Sequence, residues 1–120
     1  MTIISIGTTV AVVAVLLGGP KPHAVLELSY AAESGPAAEV SLTCGPDDGG
    51  HPEPVAACTL LRRAGAHSGK IKPEHTLCPM IYAPVTARLT GVWRGRKLDW
   101  SRVYGNRCEL SRATGVLFKF

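Results

Sequence analysis

The chain has 120 residues, 46% of them apolar and 18% charged, and a formal charge of +4. That is the size of one small domain and leaves no room for a second, catalytic one. Such a core has little stability to spare, and four cysteines are a common way for a small secreted chain to add some.

Residues 1–20 carry no charged side chain, and Val10 to Leu17 is an unbroken apolar run closed by Gly18, Gly19 and Pro20. This resembles the apolar part of a secretory leader, although no Lys or Arg precedes it. Residues 1–22 are therefore read as a leader or disordered N-terminal segment, and residues 23–120 as the domain of an extracellular protein. Glycines and threonines dilute the run too much for a membrane anchor.

Ala24, Leu26, Leu28 and Tyr30 alternate with Val25, Glu27 and Ser29, and Ala38, Val40, Leu42 and Cys44 alternate with polar neighbours. Both runs predict half-buried strands, joined as a hairpin through Ser34, Gly35 and Pro36. After a loop over 45–50, Pro52 suits a helix start, and Val55, Cys58 and Leu61 recur at helical spacing. Arg62 and Arg63 suit its last turn and Gly65 its stop.

Residues 67–76 read as a loop. Val85, Ala87 and Leu89 then begin a strand that turns between Gly91 and Gly95 and returns through Leu98, Trp100 and Tyr104. A turn or short helix over 106–112 precedes the alternation of Val116, Phe118 and Phe120, which predicts a last strand. The total is about five strands and one or two helices, an α+β layered fold.

Cys44, Cys58, Cys78 and Cys108 are separated by 13, 19 and 29 residues. A zinc site wants closely spaced pairs, so two disulfides are the better reading. Three pairings are possible. The sequential one would close loops worth about 3 to 4 kcal/mol each by chain entropy.

The informative segment runs from Thr76 to Pro84, where Leu77, Met80, Ile81 and Tyr82 stand in a loop ahead of a strand. Pro79 and Pro84 fix their own φ and push Cys78 and Ala83 toward extended backbone. A stiff extended segment with an unbranched apolar side chain at its centre looks like a protease substrate held ready. By residue type alone, Met80 and Ile81 also fit the buried start of a strand, and Asn106 fits an ordinary turn.

Leu-Cys-Pro-Met-Ile-Tyr-Ala-Pro-Val at 77–85 resembles the reactive-site loop of the Streptomyces subtilisin inhibitor family of serine protease inhibitors. The resemblance continues through Thr-Cys-Gly-Pro at 43–46, Ala-Cys at 57–58, Gly-Val-Trp-Arg-Gly-Arg at 91–96, Asn106 with Cys108, and the Val-Leu-Phe-Lys-Phe ending. It implies a two-layer sandwich of a five-stranded antiparallel sheet with two helices, disulfides Cys44–Cys58 and Cys78–Cys108, and a homodimer. It also implies a secreted inhibitor of subtilisin-like proteases with reactive bond Met80–Ile81. Leu77, Cys78, Pro79 and Tyr82 would complete the protease-contacting loop, and Asn106 and Cys108 would support it from behind. A methionine anchor suits chymotrypsin-like clefts as well.

The alternative is a secreted module that binds a partner through another face, such as the hairpin around Trp93. The histidines and carboxylates form no nucleophile or metal motif, and His51 with His67 makes at most a weak metal pair. No enzyme activity, cofactor or metal is expected. Arg88, Arg94, Arg96, Lys97, Arg102, Arg107 and Arg112 read as a solvated face and not a nucleic-acid site, because Asp99 and Glu109 dilute them.

Overall fold

The computed structural model describes residues 21–120. The expected leader therefore lies, but for its last two residues, outside the described residues. Strands β1 (Ala24–Ala32), β2 (Ala37–Cys44), β3 (Val85–Trp93) and β4 (Arg96–Tyr104) form one antiparallel sheet in the order β2-β1-β3-β4. Helices α1 (Pro54–Arg63) and α2 (Arg107–Thr114) complete the α+β fold, with 3₁₀ turns at Ser68–Lys70 and Gly115–Phe118.

Alternation decides which face of the sheet is inside. Ala24, Leu26, Leu28 and Tyr30 of β1 and Val85, Ala87, Leu89 and Trp93 of β3 are buried, with Leu28 opposite Leu89. Burying each leucine contributes about 1.5 to 3 kcal/mol. Ala57, Cys58 and Leu61 of α1, Leu110 of α2, and Leu117 and Phe118 close this layer. The other face, with Val25, Glu27, Thr86, Arg88, Val92, Asp99 and Val103, is open.

Three expectations are corrected. The sheet has four strands among the described residues, not five, because the last segment is a 3₁₀ turn. Gly115, at φ +60°, redirects the chain after α2, and adjacent Leu117 and Phe118 are both fully buried, which a half-buried strand does not allow. The hairpin turn is also tighter than expected. Trp93 pairs with Arg96, leaving Arg94–Gly95 as a two-residue turn, while Gly91 lies inside β3 at φ +139°. A Cβ at Gly91 would run into the Val25 carbonyl oxygen, so a side chain there would push β1 from β3. Finally, α1 starts at Pro54 and not Pro52, with the proline in the first turn, where no amide donor is needed.

Both sheet edges are protected. The main chain of Thr43 exchanges hydrogen bonds with Asp48, and His51 N–H donates to Ser41 O, so the 48–51 segment covers the C-terminal half of β2. The β4 edge carries Arg96, Lys97, Asp99 and Arg102. His51 is itself buried: Nδ1 accepts the Glu53 N–H at 2.9 Å and Nε2 donates to Leu117 O at 2.9 Å. The Cys44–Cys58 disulfide joins β2 to α1. Beside it Asp47 takes both terminal nitrogens of Arg62, at 3.2 and 2.9 Å.

Candidate functional site

Between the Ser68–Lys70 turn and β3 the chain has no regular secondary structure; Ile71 at its start is buried, but from Leu77 onward its large apolar side chains face solvent. Leu77 is 98% exposed, Met80 104%, Ile81 60% and Tyr82 83%, whereas Val85, the first residue of β3, is 1% exposed. Met80 and Ile81 are therefore not core residues of an early strand. Four large apolar side chains exposed along six consecutive positions make a patch that suits a partner's pockets.

What holds this loop comes mostly from the start of α2. Cys78 is bonded to Cys108, in the first turn of the helix, with the two Cα atoms 5.6 Å apart. Asn106, buried, is the N-cap of α2: its Oδ1 accepts the Glu109 N–H at 2.9 Å. Its Nδ2 donates to Pro79 O at 3.2 Å and to Ile81 O at 2.8 Å. Both amide protons thus go to the carbonyls on either side of Met80. Among the described residues nothing donates to the Met80 carbonyl, which is free for an incoming group.

Main-chain hydrogen bonds extend the hold. Ala83 N–H donates to Gly105 O at 2.8 Å, and Glu33 N–H to Pro84 O at 3.0 Å. At the other end Glu74 N–H donates to Arg112 O at 2.8 Å, and the Glu74 carboxylate meets Lys119 Nζ at 3.2 Å. Nearby, the Arg107 guanidinium lies 4.0 Å from the centre of the Tyr30 ring, whose hydroxyl donates to Phe120 O.

The structure therefore brings together Leu77, Cys78, Pro79, Met80, Ile81, Tyr82, Asn106 and Cys108. Sequence reasoning missed Glu33, Glu74, Gly105 and Arg112. Of these, Gly105 and Arg112 offer carbonyls and Glu33 an amide, groups that every such residue has, so residue type carries no signal. The one trio of potential metal ligands among the described residues is Cys44, Asp47 and Cys58, and its two sulfurs are bonded to each other. No thiolate is left there to take an ion.

The loop and Asn106 fall inside the region that matches a known family, and Cys108 lies two residues beyond it. Residues 23–106 match the family described as subtilisin inhibitor-like. The chain is 40% identical over 134 aligned residues to a subtilase-type protease inhibitor of Streptomyces fradiae, covering 96% of this chain and 94% of the relative. It is 38% identical over 92 residues to subtilisin inhibitor-like protein 2 of Streptomyces rochei, covering 75% and 81%. Among solved structures it superposes on Streptomyces caespitosus sermetstatin, crystallised in complex with Bacillus licheniformis subtilisin. The TM-score there is 0.69 at 26% identity, over 81% of this chain and 98% of that one. A match over most of the folded domain, joined to an exposed loop clasped by a disulfide and an asparagine, places the chain in the subtilisin inhibitor-like family.

Proposed function

We propose that the protein inhibits subtilisin-like serine proteases as a slowly turned-over substrate, with Met80–Ile81 as the reactive bond. The observation that carries this is Met80, fully exposed between two carbonyls that Asn106 holds. The loop adds to the edge of the protease cleft as an extended strand. Met80 enters the primary apolar pocket, Leu77, Cys78 and Pro79 occupy the preceding subsites, and Ile81 and Tyr82 follow. Because the loop is already ordered, binding loses less conformational entropy than a free peptide would.

The same tethers make turnover slow. The protease serine attacks the Met80 carbonyl carbon, and the bond to the Ile81 nitrogen breaks as that nitrogen takes a proton. In an ordinary substrate the new amine diffuses away. Here Cys78 and Pro79 hold one end to Cys108 and Asn106, while Ile81 and Ala83 hold the other to Asn106 and Gly105. The Ile81 amine therefore stays beside the acyl-enzyme, re-forms the peptide and returns the proton to the serine. The catalytic serine belongs to the protease, and the chain itself is not an enzyme.

The further expectations belong to the same reading. The protein is exported by a leader over residues 1–22, consistent with two disulfides, which persist in oxidising surroundings. Two copies associate through the open sheet face, where Val25, Val92 and Val103 are exposed and Val25 lies opposite Val92. Met80 also suits chymotrypsin-like proteases.

The test is titration of subtilisin with the oxidised domain, followed by sequencing of any cut product. Stoichiometric inhibition and a single slow nick between Met80 and Ile81 are expected. Rapid cleavage at many bonds would refute the reading. Sedimentation of the domain, and fractionation of cells producing the full chain, check the dimer and the export.

A further inference from the structure

The C-terminal end of α1 and its surroundings carry an arrangement that inhibition does not use. The C-terminal turn of α1 is a ridge between two clefts of about 330 Å³ each. One is lined by Arg62, Gly65, Trp93, Arg94 and Arg96, the other by Leu60, Arg63, Lys70, Ile71 and Lys72 among others. Neither lining contains a carboxylate. Arg62 is paired with Asp47, but Arg63, Lys70, Lys72, Arg94 and Arg96 form no salt bridge among the described residues, and all five are exposed.

Arg94 is the telling residue. It occupies the first position of a two-residue hairpin turn, at φ +49°, with Gly95 at φ +81°. Asparagine, aspartate and glycine take that conformation most readily, and an arginine there strains the backbone. Its main chain is pinned all the same, with the Arg94 N–H donating to His23 O at 2.6 Å. A long cation at a strained position is accounted for if its side chain binds something.

We propose that these two clefts together bind a flexible phosphate polymer that runs around the C-terminal turn of α1. Guanidinium groups hold phosphate through two parallel hydrogen bonds, and a single small anion would fill only one cleft. A membrane surface fits less well, because no cleft residue is among the exposed large apolar side chains that would enter a bilayer. The nine residues of β3 separate the Arg94 cleft from the loop by about 25 Å. The lining of the other cleft ends at Pro73, before the first tether of the loop at Glu74. No protease-contacting residue lies in either, so polymer and protease bind at once. A bound polymer would hold the inhibitor in place while leaving Met80 free.

The experiment measures binding of linear polyphosphate to the folded protein across a salt series. Two variants each empty one cleft, R94N/R96Q and R63Q/K70Q/K72Q. Each is expected to weaken binding at low salt by about tenfold or more, and to lower the salt slope by about two and three respectively. Subtilisin inhibition should not change in either, which shows that both remain folded. Arg94→Asn alone should raise the melting temperature while weakening binding, an outcome a purely structural arginine would not give. Absence of binding, or unchanged affinity in either cleft variant, would overturn the proposal. So would equal or tighter binding to duplex DNA, polyglutamate or phosphatidylglycerol vesicles.

Discussion

Asn106 and Ile81 lie 25 positions apart in the chain, yet the amide of one donates to the carbonyl of the other at 2.8 Å. The opposite end of the same amide caps α2 through Glu109 N–H. One side chain thus serves the helix and the loop, and the two roles are separable by substitution. Asn106→Ser leaves a Ser-x-x-Glu capping box with Glu109 but removes both hydrogen bonds to the loop. Its stability should stay within about 1 kcal/mol of the original protein, while subtilisin cuts the loop faster. Asn106→Ala should lose about 2 to 3 kcal/mol, because cap and clasp go together. Thermal melts beside a cleavage time course distinguish the two.

Met80 packs against nothing in its own chain, so substitution there should leave stability within about 0.5 kcal/mol. Inhibition should respond strongly. Met80→Asp places an unpaired charge in an apolar pocket and should abolish binding of subtilisin. Met80→Lys should shift preference toward proteases with an acidic primary pocket, read as a change in the ratio of inhibition constants for trypsin and subtilisin.

The two disulfides should differ in what their loss affects. Replacing either pair by alanine should lower stability by about 3 to 4 kcal/mol on the chain-entropy account. Cys44–Cys58 ties α1 to β2, so at a temperature where that variant is still folded it should inhibit normally. Without Cys78–Cys108 the loop loses its covalent hold two residues before Met80, and weaker inhibition with faster cleavage is expected even in the folded protein. Inhibition measured well below each variant's melting point checks this.

Asp47 should govern part of the acid sensitivity. The hydrogen bonds from Arg62, then that from Gly45 N–H, hold its carboxyl below the usual carboxylate value of 3.8. In that range the unfolded chain binds the proton more readily than the folded one, so stability rises with pH. The contribution is present above the ordinary carboxylate pKa and is lost as pH falls through the lowered folded value. Asp47→Asn should flatten the acid limb of a stability–pH curve while costing some stability at neutral pH, as followed by denaturant melts between pH 2 and pH 6.

Alternation was readable where one face of a strand meets the core and the other meets water, as in β1 and in β3 from Val85 to Leu89. It misled at Val116, Phe118 and Phe120, which imitate a strand although a glycine at positive φ has already turned the chain across the layer. Gly91 misled for a related reason: it reads as a turn, but the close approach of the Val25 carbonyl is what requires it. Within the site, Met80 and its prolines stand out because apolar residues in a stiff loop are unusual. Asn106 was visible only through family resemblance, since nothing in residue type says that an asparagine far down the chain turns back to the loop. Gly105 and Glu33 act through the main chain and left no trace.

The two sheet edges limit how this molecule can assemble. Along β2 the 48–51 segment already takes main-chain hydrogen bonds, and along β4 a second strand would have to lie against Arg96, Lys97, Asp99 and Arg102. Sideways growth from copy to copy, the route to ribbons and fibrils, meets an edge half covered by the 48–51 segment on one side and charge on the other. The proposed pairing of two copies uses the open outer face instead of an edge. Each copy has one such face, so an association through it closes on itself instead of propagating. A protein that exposes four large apolar side chains on its loop thus keeps its sheet edges poor templates for a further strand.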